Sequence, residues 1–389
     1  MAGNRQRGQS LRGRSLRGRS RRGPAPPALR WLAVAAALAA LTAACGTATA
    51  QGQPAQRGQS GRTAGTITET GSSLLYPLMR SWAAGYARQA GGVPVTTAST
   101  SSGAGIAAAS AGTADVGASD AYLSSGDVVK KPVLRNIPLA VSAQTVVYNL
   151  PGLSAADHVR LDGTVLAGIY DGSITRWDDP AITAINPHLT LPAIKIVPVY
   201  RDDSSGDTFL FTSYLSTQDA GWNTRVGYGT IVSWPTAAGA QPEQGSLSML
   251  HACQAHPGCV AYNGISYLAQ ARSGGLGEAE LGNAAGQYSL PDAATIQASI
   301  GSFVSLTPAS ETISMIDGPA AAGYPIVNYE YAVVSTKQPD AATASAIRAF
   351  LRWVITAGNQ PSYLDPVGFQ PLPAALVTLG EQQIQEIGG

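Results

Sequence analysis

From Gly65 onward the chain alternates short β-rich runs with stretches of helical periodicity: GTITET, then residues 74–90, then VPVTTA, then an Ala-rich segment from about Gly103, then ADVGAS. Strand, helix, strand, helix in that order specifies an α/β architecture whose ligand chemistry lies beyond the carboxyl ends of the strands. The first helical stretch shows its buried face directly, because Leu75, Leu78, Met79, Trp82 and Tyr86 recur at three- and four-residue steps. Such a stripe is core and carries no chemistry.

Two later runs, QTVVYNL (144–150) and YPIVNYEYAVV (324–334), are long enough to pass from one lobe of a two-lobed body into another. The expected organisation is therefore lobe I from residues 65–147 together with 323–389, and lobe II from the insertion 148–322. The segment ATASAIRAFLRWVI is expected as a helix returning to lobe I. With 44% hydrophobic and 13% charged residues over 389 positions, there is apolar material for both cores.

Residues 1–44 do not fit such a core. They hold nine arginines and no acid, and end in WLAVAAALAALTAAC, a short apolar run with small residues before Cys45. This is the layout of an export signal, and its 14 apolar-run positions are too few for a comfortable bilayer-spanning helix. LTAAC resembles the lipobox of bacterial lipoproteins, with Leu41 one place further from the cysteine than usual, so Cys45 is the expected lipidation site and soluble secretion the alternative. Residues 45–64, rich in Gly, Gln, Ser, Thr and Ala without periodicity, describe a flexible tether.

Nine of the 25 basic residues lie in the leader and none of the 24 acidic ones. Beyond it, 16 basic residues face 24 acidic ones, about eight charges negative. That excludes a nucleic-acid partner of the usual kind, which needs a basic patch, and it leaves any bound anion to local dipoles and one or two placed cations. Cys253 and Cys259 sit in HACQAHPGC. With His251 and His256 a zinc site is conceivable, but the spacing is cramped, and an exported protein favours a disulfide between the two. No metal and no cofactor are expected.

Three places share one design. ETGSSLLYPL puts Ser72 and Ser73 at a helix start, STSSGAGIAAA puts Ser101 and Ser102 before the Ala-rich helix, and DDSSGDTFLF puts Ser204, Ser205 and Gly206 before a third. Each helix amino end has N–H groups without intrahelical partners and a partial positive charge. Serines there cap the helix or donate to a ligand, and glycine lets the backbone approach. One such start is an ordinary cap; three of them, with Arg201 beside the third and DVGASD ending in Asp120, point to one anion site.

With TGSSLLYPL, GTADVGASDAYLS, LAGIYDGSITRWDDPAI, SSGDTFLFTSYLS, PGCVAYNGIS and ISMIDGP in place, the chain from Gly65 onward resembles the phosphate-binding proteins that feed Pst-type phosphate ABC importers, in their lipoprotein form. The resemblance implies a two-lobed periplasmic-binding-protein architecture of type II with a cleft between the lobes. It further implies phosphate as ligand, importer permease subunits as partners, and attachment to the extracytoplasmic face of the membrane through a lipid anchor only. Carried over by position, it implies ligand contacts from Ser73, Leu74, Ser102, Asp120, Arg201, Ser205, Gly206 and Asp207. Two departures stand out: serine at 73, where threonine is common, and Ser204, where the family often has glycine. The second raises the question whether Ser204 must adopt a left-handed backbone.

Carboxylates in an anion site have a chemical reason. Orthophosphate near neutral pH still carries protons and sulfate carries none, while an ionised aspartate only accepts hydrogen bonds. Asp120 and Asp207 would each take a ligand O–H and would meet a sulfate oxygen lone pair to lone pair. Charge balance then falls to Arg201 and the helix ends; Asp203 either braces the guanidinium or caps its loop. A hydrolase is the rival reading. It lacks a GxSxG elbow at Ser205, a Gly-Lys-Ser/Thr step anywhere, and a histidine near the Ser-Gly loops, the four being at 158, 188, 251 and 256.

Overall fold

The computed structural model describes residues 65–389 except 90 and 155. The expected leader (1–44), the tether (45–64) and the lipidation site Cys45 lie outside the described residues.

Eight strands form the path of one curled sheet: β1 (Ile67–Gly71), β2 (Val95–Ser99), β3 (Val116–Ser119), β4 (Leu134–Tyr148), β5 (Val197–Arg201), β6 (Gln241–Glu243), β7 (Cys259–Gly264) and β8 (Val327–Ser335). Their spatial order is β2-β1-β3-β8-β4-β7-β5-β6, and the short strand Gly277–Glu278 also pairs with β4. The helices used below are α1 (Tyr76–Tyr86), α2 (Ser102–Ala111), α3 (Gly206–Gln218), α4 (Ser246–Ala255), α5 (Ala341–Ile355) and α6 (Ala374–Gln385).

β4 is the element on which both halves of the sheet depend. Its residues 134–143 pair antiparallel with β8, and from Gln144 to Tyr148 it pairs with β7. One 15-residue strand thus serves both halves of the sheet, passing from one to the other at Ala143/Gln144. Its first ten residues contain Pro138, which has no N–H for a ladder. The sheet absorbs this by a register shift between Glu330 and Tyr331 of β8, opposite Pro138 and Ala140.

α1 buries Leu78, Met79, Trp82 and Tyr86, with Leu75 buried just before it, as the periodicity predicts. It starts later than expected: Pro77 lies in its first turn and the serines precede it by a loop. α5 begins at Ala341, where Asp340 accepts from the Thr343 N–H at 2.7 Å, and its buried face is Ala344, Ile347, Phe350, Leu351, Val354 and Ile355. Cys253, in α4, and Cys259, which opens β7, form a disulfide with a Cα–Cα distance of 5.2 Å, tying helix to strand. Among the described residues no group of three or more His, Cys, Asp and Glu side chains is placed to hold a metal ion, and no helix is long and apolar enough to cross a membrane.

Candidate oxyanion site

The three predicted segments follow β1, β2 and β5, and Asp120 follows β3. In each segment one serine hydroxyl accepts from a backbone N–H three residues on. Ser72 Oγ accepts from the Leu75 N–H at 3.0 Å, Ser101 Oγ from Ala104 at 3.3 Å, and Ser205 Oγ from Thr208 at 3.3 Å. The loop carrying Ser73 and Leu74 is fixed from behind, since Tyr267 donates to the Ser73 carbonyl and Ser266 to that of Leu74.

Arg201 closes β5 and is 2% exposed. All three nitrogens of its guanidinium are engaged. Nε and Nη2 donate to the two carboxylate oxygens of Asp203, each at 2.5 Å, and Nη1 donates to Asp207 Oδ2 at 3.0 Å and to Ser73 Oγ at 3.1 Å. This bidentate fork uses the planar geometry that lysine lacks. Burial works against the charged guanidinium, but Asp203 and Asp207 outweigh it and hold the group above its ordinary pKa. Asp202 is exposed to solvent.

Asp207, in the first turn of α3, is 1% exposed. Its Oδ1 accepts from Gln144 Nε2 at 3.1 Å and its Oδ2 from Ser246 Oγ at 2.8 Å in addition to Arg201. Burial and, after it, the negative charge of Asp120 push its pKa up to about 6 in spite of these donors. Asp120, following β3, is equally buried; it accepts from Ser72 Oγ and, at 3.3 Å, from Ser102 Oγ, and burial raises its pKa as well.

Two glycines bring the segments together. A Cβ on Gly206 would lie 2.3 Å from Asp120 Oδ2 and 2.4 Å from Ser102 Oγ, so α3 abuts the other two segments only because no side chain intervenes. Likewise the Gly103 N–H donates to the Ser204 carbonyl at 2.9 Å, and a Cβ on Gly103 would meet Ser204 Oγ at 1.9 Å. The question about Ser204 is resolved: among the described residues only Glu311 and Asp317 are non-glycine residues with positive φ. Serine occupies position 204 without a left-handed backbone and uses its hydroxyl to reach Thr230.

Several participants are not among the predicted residues. Ser246 opens α4, a fourth helix start, and its hydroxyl lies 2.7 Å from that of Ser73. The stretch GSLSML repeats the Gly-Ser step of Gly71-Ser72 and is readable in that form. Gln144 and Glu330 carry no such signal, because each sits inside an apolar strand. A cavity of about 390 Å³ opens beside the cluster, bordered by Tyr76, Thr100, Asp203, Gly245, Ser246 and Tyr267. The histidines lie elsewhere: His158 Nδ1 contacts the Glu278 carbonyl, His256 Nδ1 that of Ala252, and His188 and His251 are exposed.

An enclosed site of hydroxyls, helix starts, one arginine and acceptor carboxylates, set where β4 joins two halves of a sheet, defines a two-lobed substrate-binding protein. The sequence profile of the PBP superfamily domain matches residues 56–357. The phosphate-binding protein PstS of Xylella fastidiosa is 33% identical over 311 residues, covering 80% of this chain and 82% of its own. That of Methanocaldococcus jannaschii is 31% identical over 344 residues, covering 82% and 86%. The chain belongs to the PstS family of phosphate-binding proteins. A solved phosphate-binding protein from Stenotrophomonas maltophilia shares the fold, with a TM-score of 0.62 at 21% identity over 82% of this chain and 94% of the other.

Proposed function

We propose that this protein binds inorganic phosphate, as its mono- or diprotonated anion, between the two halves of the sheet and delivers it to a phosphate ABC importer. The observation that carries this reading is the charge inventory. Arg201 brings one positive charge against the two carboxylates of Asp203 and Asp207, so the cluster is net negative before any ligand enters and before Asp120 is counted. An anion is held there only if it brings protons to the carboxylates, and phosphate does so where sulfate does not. Ser73, Ser102, Arg201 and the amino ends at Leu74, Ser205 and Gly206 supply donors to its oxygens; Asp120 and Asp207 accept from its hydroxyls.

Lobe I in this reading comprises residues 65–147 with 323–389, and lobe II residues 148–322, closing by rotation about β4 and β8. The Gly103–Ser204 backbone bond then joins the lobes in the closed form. The protein acts as a binder without turnover at the extracytoplasmic face, tethered through a lipid on Cys45. Isothermal titration tests the reading. One phosphate per chain is expected, with sulfate at the same concentrations giving no heat and a chromogenic phosphate ester no hydrolysis. Sulfate binding as tight as phosphate, or turnover of the ester, would contradict it.

A further inference from the structure

Glu330 is fully buried in β8, at the register shift that Pro138 imposes. Its Oε1 accepts from Ser142 Oγ at 2.5 Å, while no N–H or serine, threonine or tyrosine O–H reaches Oε2. What the side chain does meet is the carboxyl group of Asp120, its neighbour across the sheet, because β8 pairs antiparallel with β3 with Tyr331 opposite Ser119. Two carboxylates are both acceptors, so a hydrogen bond between them requires a proton on one. We propose that Glu330 keeps that proton and donates it to Asp120, making Glu330 a positioning residue that fixes Asp120 as an acceptor-only wall of the ligand site.

The direction of donation follows from the neighbours. Asp120 has Ser72 and Ser102 as donors and the charge of Arg201 near it, all of which favour its anion. Glu330 faces Ser142, the negative charges of Asp120 and Asp207 and the Tyr331 phenol. Burial, then the charge of Asp120, raise its pKa well above the ordinary carboxylate value. The strand also holds the Asp120 backbone, since Asn328 Nδ2 donates to its carbonyl at 2.5 Å. A carboxylate offers about four lone pairs. Ser72, Ser102 and Glu330 occupy three, which leaves one for a ligand hydroxyl. Without the Glu330 donor, Asp120 would take up a proton at higher pH and become a donor, and a donor admits sulfate.

This inference rests on the phosphate reading for its selectivity consequence but not for the proton itself, so both are tested. In Glu330→Gln the amide N–H replaces the carboxyl donor and Oε1 still accepts from Ser142. Titrations of the whole protein with phosphate, and with sulfate in competition, from about pH 5.5 to about pH 8.5 should give wild-type affinity within about threefold. Glu330→Leu should bind phosphate about 10- to 100-fold more weakly and lose sulfate rejection at a higher pH than wild type. An infrared difference spectrum, wild type minus Glu330→Gln at neutral pH, should show a protonated carboxyl stretch whether or not phosphate binds. That band present in a protein that ignores phosphate would sink the functional reading and leave the proton in place. Its absence would overturn the inference, as would a Glu330→Gln variant that loses phosphate. A Glu330→Leu variant with the wild-type pH profile would overturn it too; if that variant fails to fold, the Gln variant and the band decide.

Discussion

Gly206→Ala should reduce phosphate affinity by about 100-fold or more while leaving the fold intact. The added methyl would sit 2.3 Å from Asp120 Oδ2 and 2.4 Å from Ser102 Oγ, well inside contact distance of two polar atoms that are themselves buried. Neither can retreat cheaply. Ser102 begins α2 and also receives the Asp120 N–H at 3.2 Å, and Asp120 is gripped by Ser72 and Asn328. The strain is relieved by moving the amino end of α3 away, which separates Arg201, Ser205 and Asp207 from the other two segments. Alanine is a better helix former than glycine, and Gly206 has no positive φ, so the helix itself has no reason to melt. Titration calorimetry reads the affinity loss, and an unchanged thermal unfolding midpoint identifies it as a loss of approach.

Arg201→Ala should cost more, in two observables. Removing one member of a buried pair leaves the other charges uncompensated, typically a penalty of about 3–5 kcal/mol. Here two partners, Asp203 and Asp207, are stranded together. Phosphate affinity should fall by about three orders of magnitude, since the guanidinium at the site and its fork are gone. The stability loss carries a pH signature. Asp207 already stands near pH 6 because burial and Asp120 disfavour its ionised form, and losing Arg201 raises it further. A carboxyl with a raised folded-state pKa contributes stability that is complete below its unfolded value, about 4, and is lost as pH rises through the folded value. Denaturant melts at about pH 5 and about pH 8 should therefore show a smaller deficit for Arg201→Ala at the lower pH. A deficit equal at both would mean that Asp207 does not depend on Arg201.

The arrangement of the site was open to reading from sequence where chemistry is local. Ser-Gly helix starts declare themselves through capping rules, and the first-helix stripe through its period, which is why Ser101 and Ser205 cap their helices and Leu78, Met79, Trp82 and Tyr86 are buried. Asp203 and Arg201 are two residues apart, so their pairing needs only a turn. What was hidden depends on residues far apart in the chain. Pro138 makes LRNIPLAVSA look unlike a strand, yet it forms the first ten residues of β4, because a register shift in β8 accommodates it. Glu330 and Gln144 reach Asp120 and Asp207 across 210 and 63 positions, and nothing in the local pattern of an apolar strand announces a polar residue with a distant partner. Ser246 is the exception, a fourth helix start of the recognised type.

The same three-donor count describes both aspartates. Asp207 is filled by Gln144, Arg201 and Ser246, and Asp120 by Ser72, Ser102 and the proposed Glu330 proton. Each retains one acceptor position for the ligand, which places the burden of selectivity on those two lone pairs. The most direct test is sulfate competition against phosphate in Asp120→Asn and Asp207→Asn near neutral pH. An asparagine can turn an N–H toward the ligand, so sulfate affinity should rise while phosphate affinity falls less than sulfate rejection does. Sulfate excluded by both variants as strictly as by the wild type would contradict recognition through ligand protons.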